Sequence, residues 1–160
     1  MTPAVVEPVT LIYKLNNRLV GRSLEGLTDD EMWQAGPGGG NPIAWLLGHI
    51  TESRIGLLAA LGRPTETGWG RVFSRGSVRG APTSYPSRAA IEASWHATHG
   101  RMREAFDAVT DGQLAAPPTI ELPGAKTLAD QAAFFAFHES YHVGQIGYVR
   151  KFLGHSAIAG

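Results

Sequence analysis

Apolar residues recur at helical spacing in four stretches of the chain. In the first, Val5, Val9, Ile12, Asn16, Leu19 and Ser23 fall on one face, with Leu15 and Val20 widening it. The second carries Ile43, Leu46, Leu47, Ile50, Leu57, Leu58 and Leu61. It opens at Asn41-Pro42, a capping residue followed by a proline suited to the first helical position, and closes at Gly62 and Pro64. The third starts near Ser87 and shows Ile91, Trp95, Thr98, Met102, Ala105 and Val109. The fourth starts at Thr127, with Asp130 at capping-box spacing, and runs to Gly154, a natural C-terminal stop.

Shorter signals punctuate these four. Thr28 and Glu31 form a capping box for a helical turn, "GPGGG" is a flexible break, and "TDGQLAAPP" is another turn before a proline stop. "PPTIELPG" is the one stretch that reads as extended, and nothing alternates for long. The stretch from about Gly62 to Pro86 has no clear period and is long for a plain connection, which marks it as a functional loop. Four helices of about 20 residues predict an all-α four-helix bundle, a single domain over residues 1–160 with a long loop between its second and third helices.

The fourth helix changes the picture. Written in sevens, one column reads Leu128, Phe135, His142, Val149, and another reads Gln131, His138, Gln145, Phe152. This places His138 and His142 one turn apart on the core-facing stripe, with two glutamines beside them. A buried polar group without a partner costs about 1–3 kcal/mol. Either neighbouring side chains satisfy these imidazoles, or a metal ion does, since two histidines at i and i+4 can share one. An open catalytic site takes a third protein ligand, and His49, at the core-facing edge of the second helix, is the best placed. His99 is a weaker candidate, His96 lies off its stripe, and His155 follows the terminal glycine.

Composition narrows the chemistry. Lys and Arg balance Asp and Glu at 14 each, which gives no electrostatic case for nucleic acid or an acidic membrane surface. No apolar run approaches the ~20 residues of a membrane helix, and the first residues lack a signal-peptide pattern, so the expectation is a cytoplasmic protein. Cysteine is absent, so any metal is held by His, Asp or Glu, and any reacting thiol arrives with a substrate.

"HESYH" at 138–142 also spells the H-E-x-x-H pattern of zinc peptidases. The extended pattern wants Gly at 145 and His at 148, where this chain has Gln145 and Tyr148. Glu139 shares a column with Ala132, Ile146 and Leu153 and borders the core, where it orients a ligand or forms a salt bridge. Arg54 and Arg150 could bind an anionic substrate, although solvated surface positions are the expectation for both.

The chain resembles the DinB/YfiT-like superfamily of metal-binding four-helix bundles over nearly its whole length. "LTDDEMW" is similar to the turn after that family's first helix, and "NPIAWLLGHI" to its second helix. "KTLADQAAFFAFHESYHVGQIGYVRKFLG" is similar to its fourth. The resemblance implies an up-down-down-up bundle, often a homodimer, with His49, His138 and His142 as ligands of zinc, nickel or a similar divalent ion. Characterised relatives include thiol-dependent S-transferases and a mycothiol-dependent maleylpyruvate isomerase. The expected function is therefore a metal-dependent enzyme acting on a small molecule, with a low-molecular-weight thiol as co-substrate and the reaction class (transfer, hydrolysis or isomerisation) unassigned. The alternatives are a non-catalytic metal-binding or stress-response protein and, further off, the peptidase.

Overall fold

The computed structural model describes residues 2–77 and 80–158. Four long helices carry the fold: α1 (Glu7–Leu24), α3 (Ile43–Ala60), α4 (Arg88–Ala108) and α6 (Leu128–Phe152). Two single-turn helices, α2 (Asp29–Trp33) and α5 (Asp111–Ala115), sit in the connections. Among the described residues there is no strand, so "PPTIELPG" is not extended sheet. The Thr119 backbone N–H instead donates to Gln131 Oε1 at 2.7 Å, which satisfies that buried glutamine and ties the segment to α6. The capping boxes at Thr28, Thr110 and Thr127 all form. Pro42 occupies the cap position of α3, one residue before the place expected for it.

Paired residues fix the helix directions. Asn16 bonds Ser140, and Arg150 bonds the Ser23 carbonyl, so α1 and α6 run parallel. Tyr13 packs on Phe106 while Arg88 reaches the Leu24 carbonyl, so α1 and α4 are antiparallel. Leu46 and Leu47 share one core cluster with Ile146 and Val149, and Leu57 and Leu58 share another with Leu128 and Ala132, so α3 opposes α6. The order is up-down-down-up. Parallel α3 and α4 force their connection to return along the whole of α3, whose 18 residues span roughly 27 Å. The length of the 62–86 loop thus has a topological cause, and the return path crosses the face that holds the histidines.

Between the two apolar clusters lies a polar belt. Arg54 and Glu139 are each 1% exposed and form a two-point ion pair, Nε to Oε2 at 2.7 Å and Nη2 to Oε1 at 2.9 Å. The Arg54 guanidinium lies 3.4 Å from the Trp95 ring centroid. Arg54 is therefore internal, not a surface residue, and the same is true of Arg150, which donates to the Ser23, Glu25 and Ser156 carbonyls. Neither is free to bind a substrate anion.

The stripe expected for α6 is rotated. The buried residues are Leu128, Gln131, Ala132, Ala136, Glu139, Val143, Ile146, Val149 and Arg150. Small alanines at 132 and 136 let the helices approach, and the charge on Arg54 makes Glu139 acceptable at the centre. Phe135, His138, His142 and Gln145 are half-buried at the stripe's edge, and Phe152 is exposed. In α1 and the turn before it, Val5, Ile12 and Leu15 are likewise exposed, while Val6 and Tyr13 take core positions.

Candidate metal centre

His138 and His142 stand one turn apart on α6, and His49 faces them from α3. Their ligand atoms lie within 4.8 Å of one another, and no other such group of three occurs among the described residues. His138 Nε2 is 3.2 Å from His49 Nε2 and 3.1 Å from His142 Nε2. His96, His99 and His155 stand elsewhere: His96 is exposed, His99 lines a separate cavity between α1 and α4, and His155 bonds Glu31 at 2.9 Å.

The outer nitrogens fix the tautomers. His49 Nδ1 faces the Phe73 carbonyl at 2.7 Å, and an imidazole can approach a carbonyl so closely only by donating a proton. His142 Nδ1 donates to Gln145 Oε1 at 2.6 Å, and the same amide donates from Nε2 to the Tyr141 hydroxyl at 3.4 Å. His49 and His142 therefore both present Nε2 lone pairs to His138 Nε2. One proton there can satisfy only one of them, while His138 Nδ1 is buried without a partner in either tautomer. A cation at the point of convergence satisfies all three lone pairs together. Two nitrogens each ~2.1 Å from one ion are about 3.0–3.4 Å apart, depending on coordination geometry; the two separations to His138 fall in that window, and all three ligand atoms lie within 4.8 Å of one another. The residues present fit a divalent ion.

Electrostatics favour the form a metal needs. Burial, then the neighbouring His142 and His49, hold the His138 pKa down at about 4. Burial also lowers His142, against the opposing hydrogen bond to Gln145. Neutral imidazoles are the ligating form.

Packing sets the first ring. The Trp45 ring stacks on His49 at 5.0 Å and 11°. Phe73, fully buried, anchors the loop against Gly48, where an added Cβ would lie 2.6 Å from the Phe73 ring. Only glycine permits that approach, and it delivers the Phe73 carbonyl to His49. The three histidines open into a cavity of about 660 Å³ walled by Trp45, Tyr141, Arg75, Gly76 and Ser77.

Sequence pattern selects the three histidines and the helices that bear them. It does not identify the Phe73 carbonyl, Trp45, Arg75 or Tyr141. Gln145 had a signal, since it stands three residues after His142 on the same face. Phe73 and Arg75 lie in the stretch without a period, where only loop length drew attention.

A family model described as the DinB superfamily matches residues 13–146. A solved structure, the crystal structure of the conserved protein of locus from Enterococcus faecalis, is similar in fold, with a TM-score of 0.76 and 14% identity. The alignment covers 96% of this chain and 99% of that one. Among curated proteins, none matches the chain. The span matched by the family model runs from within α1 to within α6 and takes in all three histidines, and the chain belongs to the DinB superfamily.

Proposed function

We propose that this protein is a divalent-metal-dependent enzyme in which His49, His138 and His142 hold one ion, zinc or nickel, for a reaction of a low-molecular-weight thiol. The observation that carries this reading is the convergence of three Nε2 atoms at the wall of an open cavity. An ion held there supplies a Lewis-acid centre that favours loss of a proton from a thiol or water. The chain's own groups do the positioning. Phe73 and Gln145 lock the rings of His49 and His142, and Trp45 covers the face of His49. Among the described residues no carboxylate lines the cavity, so the chain places no carboxylate base beside the histidines. Without cysteine in the chain, the thiol must be external. A cytoplasmic setting belongs to the same reading, since small thiols are kept reduced there.

The peptidase alternative needs Glu139 as a general base beside the histidines. Both its oxygens bond Arg54 in the sealed core, which removes it from that role. The non-catalytic alternative is separated by experiment. Tag-free, metal-loaded protein is incubated with a thiol and a haloalkane or epoxide electrophile, and thioether is measured. The reading expects turnover that disappears in His142→Ala. Full metal occupancy with no turnover across a panel of thiols and electrophiles would favour a metal-binding protein without catalysis.

For the partner we propose a second copy of the chain, seated on the α1/α6 face. Ile12, Leu15 and Tyr148 are exposed there around a groove of about 650 Å³. Exposed apolar clusters of this kind mark interaction sites. Sedimentation equilibrium should give a dimer that Leu15→Asp converts to monomer, and a monomeric parent protein would refute the assignment.

A further inference from the structure

Among the described residues, the metal-site cavity carries one formal charge on its lining side chains apart from the histidines, and it is positive. Arg75 is exposed, and the remaining lining residues are Asn41, Trp45, Gly76, Ser77 and Tyr141, none of them a carboxylate or a second cation. Arg75 makes no ion pair among the described residues. Its position is fixed from below. Phe73, two residues earlier, is wedged between α3 and the Tyr85 and Trp69 rings, and its carbonyl holds His49. The Ser74 N–H bonds the Arg71 carbonyl and the Ser77 N–H bonds the Ser74 carbonyl, so the turn that bears Arg75 is closed on itself. Gly76, at φ +77°, makes that turn possible.

We propose that Arg75 is a specificity-determining residue that selects substrates bearing a carboxylate. The proposal rests on the metal-dependent reading for the placement of the substrate's other end. Three neutral imidazoles leave the charge of a divalent ion uncompensated, and Arg75 adds a second positive charge to the same cavity, with no acidic side chain among the described lining residues to balance either. The complementary molecule is an anion. The two charges come from different elements, the ion from α3 and α6 and the exposed guanidinium from the 74–77 turn that lines the same cavity. The ligand therefore has two handles, a donor atom for the ion and an anionic group for Arg75. The Ser77 hydroxyl donates to the Val72 carbonyl at 3.1 Å, so it is not a second donor for the ligand's anion. A lone guanidinium offers two parallel N–H groups, which match a planar carboxylate. Trp45 and Tyr141, beside His49 and His142, provide aromatic walls for an apolar body.

The test uses the metal-loaded full chain and isothermal titration calorimetry, with no need for turnover. Two acid probes, 3-mercaptopropionate and 3-phenylpropionate, are compared with their neutral counterparts, 3-mercaptopropanol and 3-phenylpropanamide, on wild type, Arg75→Ala and Arg75→Lys. The expected result is that each acid binds more tightly than its neutral partner. Arg75→Ala should weaken both acids by roughly three- to tenfold and leave the neutral probes unchanged, while Arg75→Lys keeps part of the preference. The visible spectrum of the cobalt-loaded protein should be the same in all three, which shows the histidine site intact. Acid affinities unchanged in Arg75→Ala would overturn the proposal, whether or not thiols bind. If neutral thiols fail to bind and 3-phenylpropionate still depends on Arg75, the thiol reading falls and the carboxylate site stands.

Discussion

Replacing Glu139 by glutamine should be among the most damaging single changes in this chain, although it alters two atoms' chemistry and almost no volume. Glu139 and Arg54 are each 1% exposed, and the carboxylate receives both of the guanidinium's paired donors at 2.7 and 2.9 Å. Burial pushes the Glu139 carboxyl upward, and Arg54 opposes that shift. In Glu139→Gln the guanidinium stays in the core, one of its partners becomes an N–H donor, and no other carboxylate replaces it. Removing one member of such a pair costs about 3–5 kcal/mol, against a total stability of about 5–15 kcal/mol for a domain. Stacking of Arg54 on Trp95 is common to both proteins and cancels in the difference, so the low end of that range is a conservative figure. Net loss should be about 3 kcal/mol, which at a urea slope of ~2 kcal/mol/M moves the midpoint down by about 1.5 M. The assay is urea unfolding of metal-free protein followed by far-ultraviolet circular dichroism. The double variant Arg54→Met, Glu139→Leu should recover more than half of the loss, because an apolar pair leaves no charge stranded. A Glu139→Gln midpoint within about 0.3 M of wild type, about 0.6 kcal/mol at that slope, would refute the reasoning.

The His138 pKa is about 4 in the folded chain against an ordinary 6.5, so the unfolded state binds more protons between those values. Its contribution is therefore constant above pH 6.5 and is lost as pH falls toward 4. Glu139, being raised, works in the opposite sense, so the measurement is a difference: between about pH 7.5 and 4.5, chelated wild type should lose more stability than His138→Gln does. Chelation itself should leave the helical dichroism intact at room temperature, because two apolar clusters hold the bundle without the ion. Collapse of that signal on adding chelator would make the ion structural. Gly48→Ala should cost about 1–3 kcal/mol by overpacking and should also weaken metal binding, since it displaces Phe73 and with it the carbonyl that orients His49. Unchanged metal affinity in that variant would show that the His49 ring does not need the loop.

Helix positions were legible because caps and periods are local properties. Thr127 with Asp130, Ser87, and the stripe from Ile91 to Val109 each declare themselves within a few turns of chain. Rotation of α6 was not legible, because it depends on what faces the helix. Phe135 and Phe152 are more apolar than Ala132 and Ala136, yet the alanines are inside, where close helix approach matters more than side-chain area. Glu139 could be placed at the centre only by knowing that Arg54, 85 residues away, would meet it. His138 and His142 could be singled out because two imidazoles at i and i+4 stand beside an apolar face, and His49 because it borders the apolar face of α3; the structure brings the three together. The loop's contribution, the Phe73 carbonyl and Arg75, depends on a return path set by the parallel direction of α3 and α4, which no local pattern records.

The most direct test of the metal centre is X-ray absorption at the metal edge on tag-free protein loaded with one equivalent of zinc. Three imidazole nitrogens at ~2.0–2.1 Å, with one further light-atom ligand that exchanges for sulfur when a small thiol is added, are the predicted result. His49→Ala, His138→Ala and His142→Ala should each lower the imidazole number and the occupancy, while His99→Ala should change neither. A spectrum with two imidazoles or fewer in the wild-type protein, or one insensitive to loss of His49, would contradict the three-histidine centre.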